Sequence, residues 1–113
     1  MHLAISGLSA MEFSYDLLHS FLTECVVKME MHSISSPWLY WNGDKNWDAF
    51  QFIAESHISV HAVLPEVWVD CVSCKPFDYV KMLEFSRTKL QLKDVSYYIL
   101  NRQSEYVVTE DAE

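Results

Sequence analysis

The sequence predicts an α+β domain: an antiparallel-rich sheet with two helices on one face, a two-layer protomer that pairs with a second copy as a four-layer α/β/β/α sandwich. Three observations lead there. Two segments repeat apolar residues at helical spacing, six others read as short strands, and the strands are apolar on both sides, so two helices leave apolar surface uncovered.

Residues 2–7 read as the first strand. Ser9-Ala10-Met11-Glu12 then offers a capping box, and Leu18, Phe21, Leu22, Cys25 and Met29 carry one apolar stripe through about residue 31. Residues 37–41, 49–54 and 56–63 follow as strands, the first two joined by the turn-forming Asn42-Gly43-Asp44. Leu64-Pro65-Glu66 makes the next turn, and 67–74 returns as the partner of a hairpin. Pro76 suits the first turn of a second helix with Tyr79, Val80, Leu83 and Leu90 on its buried side. Val95, Tyr97 and Tyr98 are β-formers in a last strand, 94–100, and residues 103–113 turn acidic and read as a flexible tail. Trp38, Trp41, Phe50 and Trp68 are the apolar residues that call for a second copy, and Trp38, Tyr40, Trp41 and Trp47 read as sheet-packing residues rather than a stacking platform for a base.

Length and charge narrow the class. The 113 residues suit a single domain, 1–113, that gains from self-association. A net charge of −8 with eight scattered Lys and Arg excludes an ordinary nucleic-acid binder, which needs a basic face. Apolar runs are too short and too often broken by charge to cross a bilayer, and no basic leader precedes one, so a cytoplasmic protein is expected. Three cysteines, Cys25, Cys71 and Cys74, are an odd count at low density and fit a reducing compartment. Cys71 and Cys74 spell C-x-x-C, but positions three apart on a strand point to opposite faces, so neither a redox pair nor half a metal site is expected. Cys71 reads as a small buried apolar residue, whereas Asp70 shares a face with Cys74 and is placed to set its protonation.

The chemistry is concentrated in Glu55-Ser56-His57-Ile58-Ser59-Val60-His61 and in Asp70-Cys71-Val72-Ser73-Cys74. Both runs resemble the small prokaryotic S-adenosylmethionine decarboxylases, and the likeness follows the order of elements from residue 2 to about residue 102. The resemblance implies self-cleavage between Glu55 and Ser56 into a 1–55 β chain and a 56–113 α chain. Ser56 then becomes a pyruvoyl cofactor that forms a Schiff base with the substrate amine. It further implies that His61 is the processing base, that Cys74 returns a proton to the substrate carbon, and that no metal takes part. The implied product is the aminopropyl donor for spermidine and other polyamines, and the implied assembly is a homodimer.

Two departures from the family pattern accompany the likeness. Where the family has a Gly-x-Ser/Thr-Gly segment with a processing hydroxyl, this chain has Asn46-Trp47-Asp48-Ala49, so Asp48 stands at the hydroxyl position as an acceptor or a substrate-binding carboxylate. The hairpin reads His61-Ala62-Val63-Leu64-Pro65-Glu66, two residues shorter between His61 and Asp70 than in the family. Glu66 takes the place of the glutamate that holds the substrate ribose, while the even change leaves His61 and Cys74 able to converge. Two other readings stay open: the same pyruvoyl chemistry on ornithine or arginine, and an unprocessed inactive homologue acting as a binding or regulatory subunit.

Overall fold

The structure is a computed structural model that describes residues 1–54 and 56–100, and the backbone of 106–110. Its elements run β1 (His2–Ser9), α1 (Tyr15–Lys28), β2 (Trp38–Trp41), β3 (Asn46–Ile53), β4 (Ser56–Val63), β5 (Glu66–Ser73), α2 (Tyr79–Lys89), β6 (Leu92–Leu100) and β7 (Tyr106–Glu110). The strands form one sheet in the order β2-β3-β4-β5-β1-β6-β7, with every neighbouring pair antiparallel. The α+β class is therefore as predicted. Among the described residues no helix is long and apolar enough to cross a membrane.

Alternation along the strands sorts the sheet into two faces. Leu3 and Ile5 of β1, Ala49, Gln51 and Ile53 of β3, Ile58, Val60 and Ala62 of β4, and Val67, Val69 and Cys71 of β5 are buried in a core shared with Leu18, Phe21, Leu22 and Cys25 of α1 and with Met82 and Leu83 of α2. The two helices are clasped to each other as well. Phe21 stacks on Phe85 with ring centroids 5.5 Å apart, and the Lys89 ammonium donates to Glu24 at 2.9 Å. On the other pleat, Leu8, Trp38, Tyr40, Phe52, Val63, Trp68 and Leu100 stay exposed. That open face is too apolar for a surface meant for water alone.

Four expectations are corrected. Ser9 does not cap α1: β1 runs through it, its hydroxyl donates to the Leu90 carbonyl at 2.6 Å, and Ser14 caps instead by accepting the Leu17 N–H. The second helix starts at Tyr79, capped by Asp78, so Pro76 precedes it, and Met82 rather than the exposed Val80 lies on its buried side. Strand β3 begins at Asn46, ahead of residue 49, because Trp47 stacks on Trp41 across the hairpin at 5.9 Å. The segment read as a flexible tail contains β7, where Tyr106, Val107, Val108 and Thr109 are strand formers paired with β6. The rest of that segment, and Glu55, lie outside the described residues.

Because Phe21 is fully buried and Val27 of the same helix is 73% exposed, the two positions test the packing directly. Phe21→Ala is expected to lower unfolding free energy by about 3–5 kcal/mol, and Val27→Ala by less than about 0.5 kcal/mol, both read from urea denaturation.

Candidate active site

Ser56 opens β4 and is half-buried. Its register partner is Ser73, the last residue of β5, and Cys74 follows immediately, exposed, where the chain leaves the strand. Ser56 and Cys74 line the same small cavity of about 170 Å³, whose other walls include Met31 and His32 beyond the end of α1 and the buried Ser73. The hydroxyl of Ser73 accepts the Lys75 N–H at 3.0 Å and donates to the Met31 sulfur at 3.7 Å, which folds the turn that carries Cys74. A nucleophile-bearing residue and a thiol thus share one pocket at one end of the sheet.

A second group forms elsewhere, on the open face. Asp48 of β3 and His61 of β4 are direct cross-strand partners, and Nδ1 of His61 lies 2.5 Å from Oδ1 of Asp48. The imidazole also leans against Trp68, its partner on β5, with centroids 5.5 Å apart. Glu66 lies on the same face of β5, two residues from Trp68, exposed. Asp48 and His61 are therefore brought together, with Glu66 nearby.

The two groups do not meet within one chain. Ser56 and His61 are separated by five strand steps, about 17 Å, and an odd count puts their side chains on opposite faces. Along β5, five steps separate Trp68, the partner of His61, from Ser73, about 17 Å, and Cys74 lies beyond that end. The expected convergence of His61 and Cys74 fails within the protomer, because the register pins each to a different end of the β4–β5 ladder.

Neighbouring residues sort by face. Asp70 bonds Nε2 of His2 at 2.7 Å, and His2 packs edge-on against Tyr98. Cys25 and Cys71 are core residues. Burial pushes the Cys71 thiol up to about 12 and the Cys25 thiol well above its ordinary value, so both stay protonated at neutral pH. No group of three or more His, Cys, Asp or Glu able to hold a metal occurs among the described residues. Sequence reasoning missed Ser73 and Trp68 as neighbours of the site. Only the strand register reveals that they face Ser56 and His61.

Comparison with known proteins adds the following. A family model for S-adenosylmethionine decarboxylase matches residues 10–103. Among solved structures, the adenosylmethionine decarboxylase of Aquifex aeolicus VF5 superposes with a TM-score of 0.70 at 18% identity, over 99% of this chain and 89% of that chain, a likeness that speaks for the fold. Curated proteins give no match.

The three thiols are expected to separate cleanly. Native protein at pH 7.5 takes up one alkyl group from iodoacetamide, on Cys74, and unfolded protein takes up three, as read by peptide mass. Stability is expected to fall as pH rises from the ordinary thiol value of 9.0 toward about 12, since in that window the unfolded chain releases the Cys71 proton and the native chain keeps it. Replacing Cys71 with Val removes the Cys71 share of that slope in denaturation curves and leaves the share of Cys25, whose thiol is raised by the same burial.

Proposed function

The chain belongs to the S-adenosylmethionine decarboxylase family, and from that premise we propose that it is a pyruvoyl-dependent enzyme that cleaves itself between Glu55 and Ser56 and decarboxylates S-adenosylmethionine. The product is the aminopropyl donor for spermidine synthesis, made in the cytoplasm. The observation that carries the reading is the shared cavity of Ser56 and Cys74.

Ser56 fits the group it is asked to carry. It heads a strand, so a chain break before it costs no ladder pairing within β4, and its side chain opens into a cavity rather than into packed core. The pyruvoyl group supplies a conjugated carbonyl that takes up the electrons left behind as CO2 departs. Cys74 lines the same cavity and is the donor for the substrate carbon, and Ser73 holds its turn. A space of about 170 Å³ accepts the amino-acid end of the substrate only. Sites for whole ligands of this size run to about 300–1,000 Å³.

A second copy of the chain supplies what one protomer lacks. Its open face, laid on the exposed Trp38, Phe52, Trp68 and Leu100 of the first, buries apolar surface that is otherwise wet. Ser56 and Cys74 lie at the rim of the sheet, where a covering copy delivers its own Asp48, His61 and Glu66. In this homodimer the Ser56 of one chain is processed with the His61 of the other, and the nucleoside end of the substrate lies against the second copy's Glu66.

Intact-mass measurement under denaturing conditions tests the reading. The expected result is two fragments, 1–55 and 56–113, the latter with a pyruvoyl terminus, and a single uncut chain for Ser56→Ala. Cys74→Ala is expected to cleave normally and to lose about 100-fold or more in decarboxylation rate, measured as released CO2. A wild-type chain that stays whole overturns the pyruvoyl reading and favours an inactive, partner-binding homologue, to which Asp48 at the hydroxyl position points. A cleaved chain that releases CO2 only from ornithine or arginine overturns the substrate assignment.

A further inference from the structure

We propose that Asp48 is a positioning residue that locks His61 into one tautomer, with the proton on Nδ1 and the lone pair on Nε2, and so makes it a one-directional base. The inference rests on the self-cleavage reading above. It assigns to this chain a carboxylate–imidazole dyad where a hydroxyl would leave the ring undetermined.

The geometry is specific. Asp48 and His61 are register partners on β3 and β4, both point to the open face, and Oδ1 lies 2.5 Å from Nδ1. An ionised carboxylate only accepts, so the ring nitrogen facing it must carry a hydrogen, and in the neutral ring the other nitrogen must then be bare. A Ser or Thr at position 48 would both donate and accept, and would tolerate either tautomer. Trp68 packs against the ring with an interplanar angle of 31°, so the imidazole is held by one polar and one apolar contact while more than half of its side chain stays exposed.

Stability does not explain the pair. The two side chains are 56% and 46% exposed in the protomer, where an ion pair contributes little to folding. Orientation is what the contact secures. When a second copy brings the sheet rim that carries its Ser56 against this group, Nε2 takes the proton of the Ser56 hydroxyl as its oxygen bonds to the Glu55 carbonyl carbon. The same proton passes to the Ser56 nitrogen as the C–N bond breaks, which yields the ester. Asp48 stays ionised throughout and stabilises the transient imidazolium.

Two readouts test the proposal in the full-length chain. In Ser56→Ala protein labelled with 15N-histidine, at a pH where the ring is neutral, the His61 signals are expected to show protonated Nδ1 and bare Nε2. Adding Asp48→Asn is expected to move the ring toward the Nε2–H tautomer. In the chain with Ser56 intact, Asp48→Asn is expected to slow self-cleavage by about 100-fold or more, with Asp48→Glu recovering part of the loss and both variants keeping the urea midpoint of the parent. A parent chain that cleaves while Asp48→Asn cleaves equally fast, or a His61 tautomer indifferent to Asp48→Asn, overturns the inference and leaves the pyruvoyl reading standing. A parent chain that never cleaves overturns the pyruvoyl reading itself, and the base role of His61 with it.

Discussion

The two-residue period of β4, in a sheet covered by helices on one side only, governs everything else in this protein. Ile58, Val60 and Ala62 are taken by the core, which fixes the register of the strand and forces His57, Ser59 and His61 onto the opposite pleat. Ser56, an even step from Ile58, belongs to the helix-facing side at the strand's first position. A single slip would exchange the two sets and bury His61 under α1. The burial of three small apolar side chains thus determines where the chemical residues stand.

From that constraint follows the division of the site. The helix-facing rim holds Ser56, Ser73 and Cys74 near the C-terminal end of α1, and the open face holds Asp48, His61, Trp68 and Glu66. In the proposed mechanism neither half suffices alone. The same open face carries the exposed aromatic residues, so the surface that most gains from being covered is also the one that displays the second half of the proposed machinery. Dimerisation and catalysis are therefore one requirement in this account rather than two.

Much of the architecture was legible in the sequence, because periodicity reports burial. The stripe Leu18, Phe21, Leu22 and Cys25 gave α1 its buried side, and the alternating runs gave the strands their places. Element ends were less legible. Ser9 satisfies the capping pattern, yet its hydroxyl is engaged by Leu90, a contact 81 residues away in the chain that no local reading contains. The acidic end concealed Tyr106 to Thr109, whose strand propensity is realised only through pairing with β6. At the site, motif resemblance picked out Ser56, His61, Cys74 and Asp48. The pairing of Asp48 with His61, and the distance of both from Ser56, depend on cross-strand register, which composition and spacing within one segment do not encode.

Co-expression of two inactive variants tests most directly the claim that the site is shared between copies. Ser56→Ala keeps His61 but lacks the residue proposed for conversion, and His61→Ala keeps Ser56 but lacks the proposed base. Each chain alone is expected to stay whole. Expressed together, they are expected to yield cleaved fragments whose 56–113 piece carries the His61→Ala mass, since that chain is processed by its partner's histidine. Absence of those fragments from a co-purified mixed dimer, or cleavage of the His61→Ala chain on its own, would contradict the account.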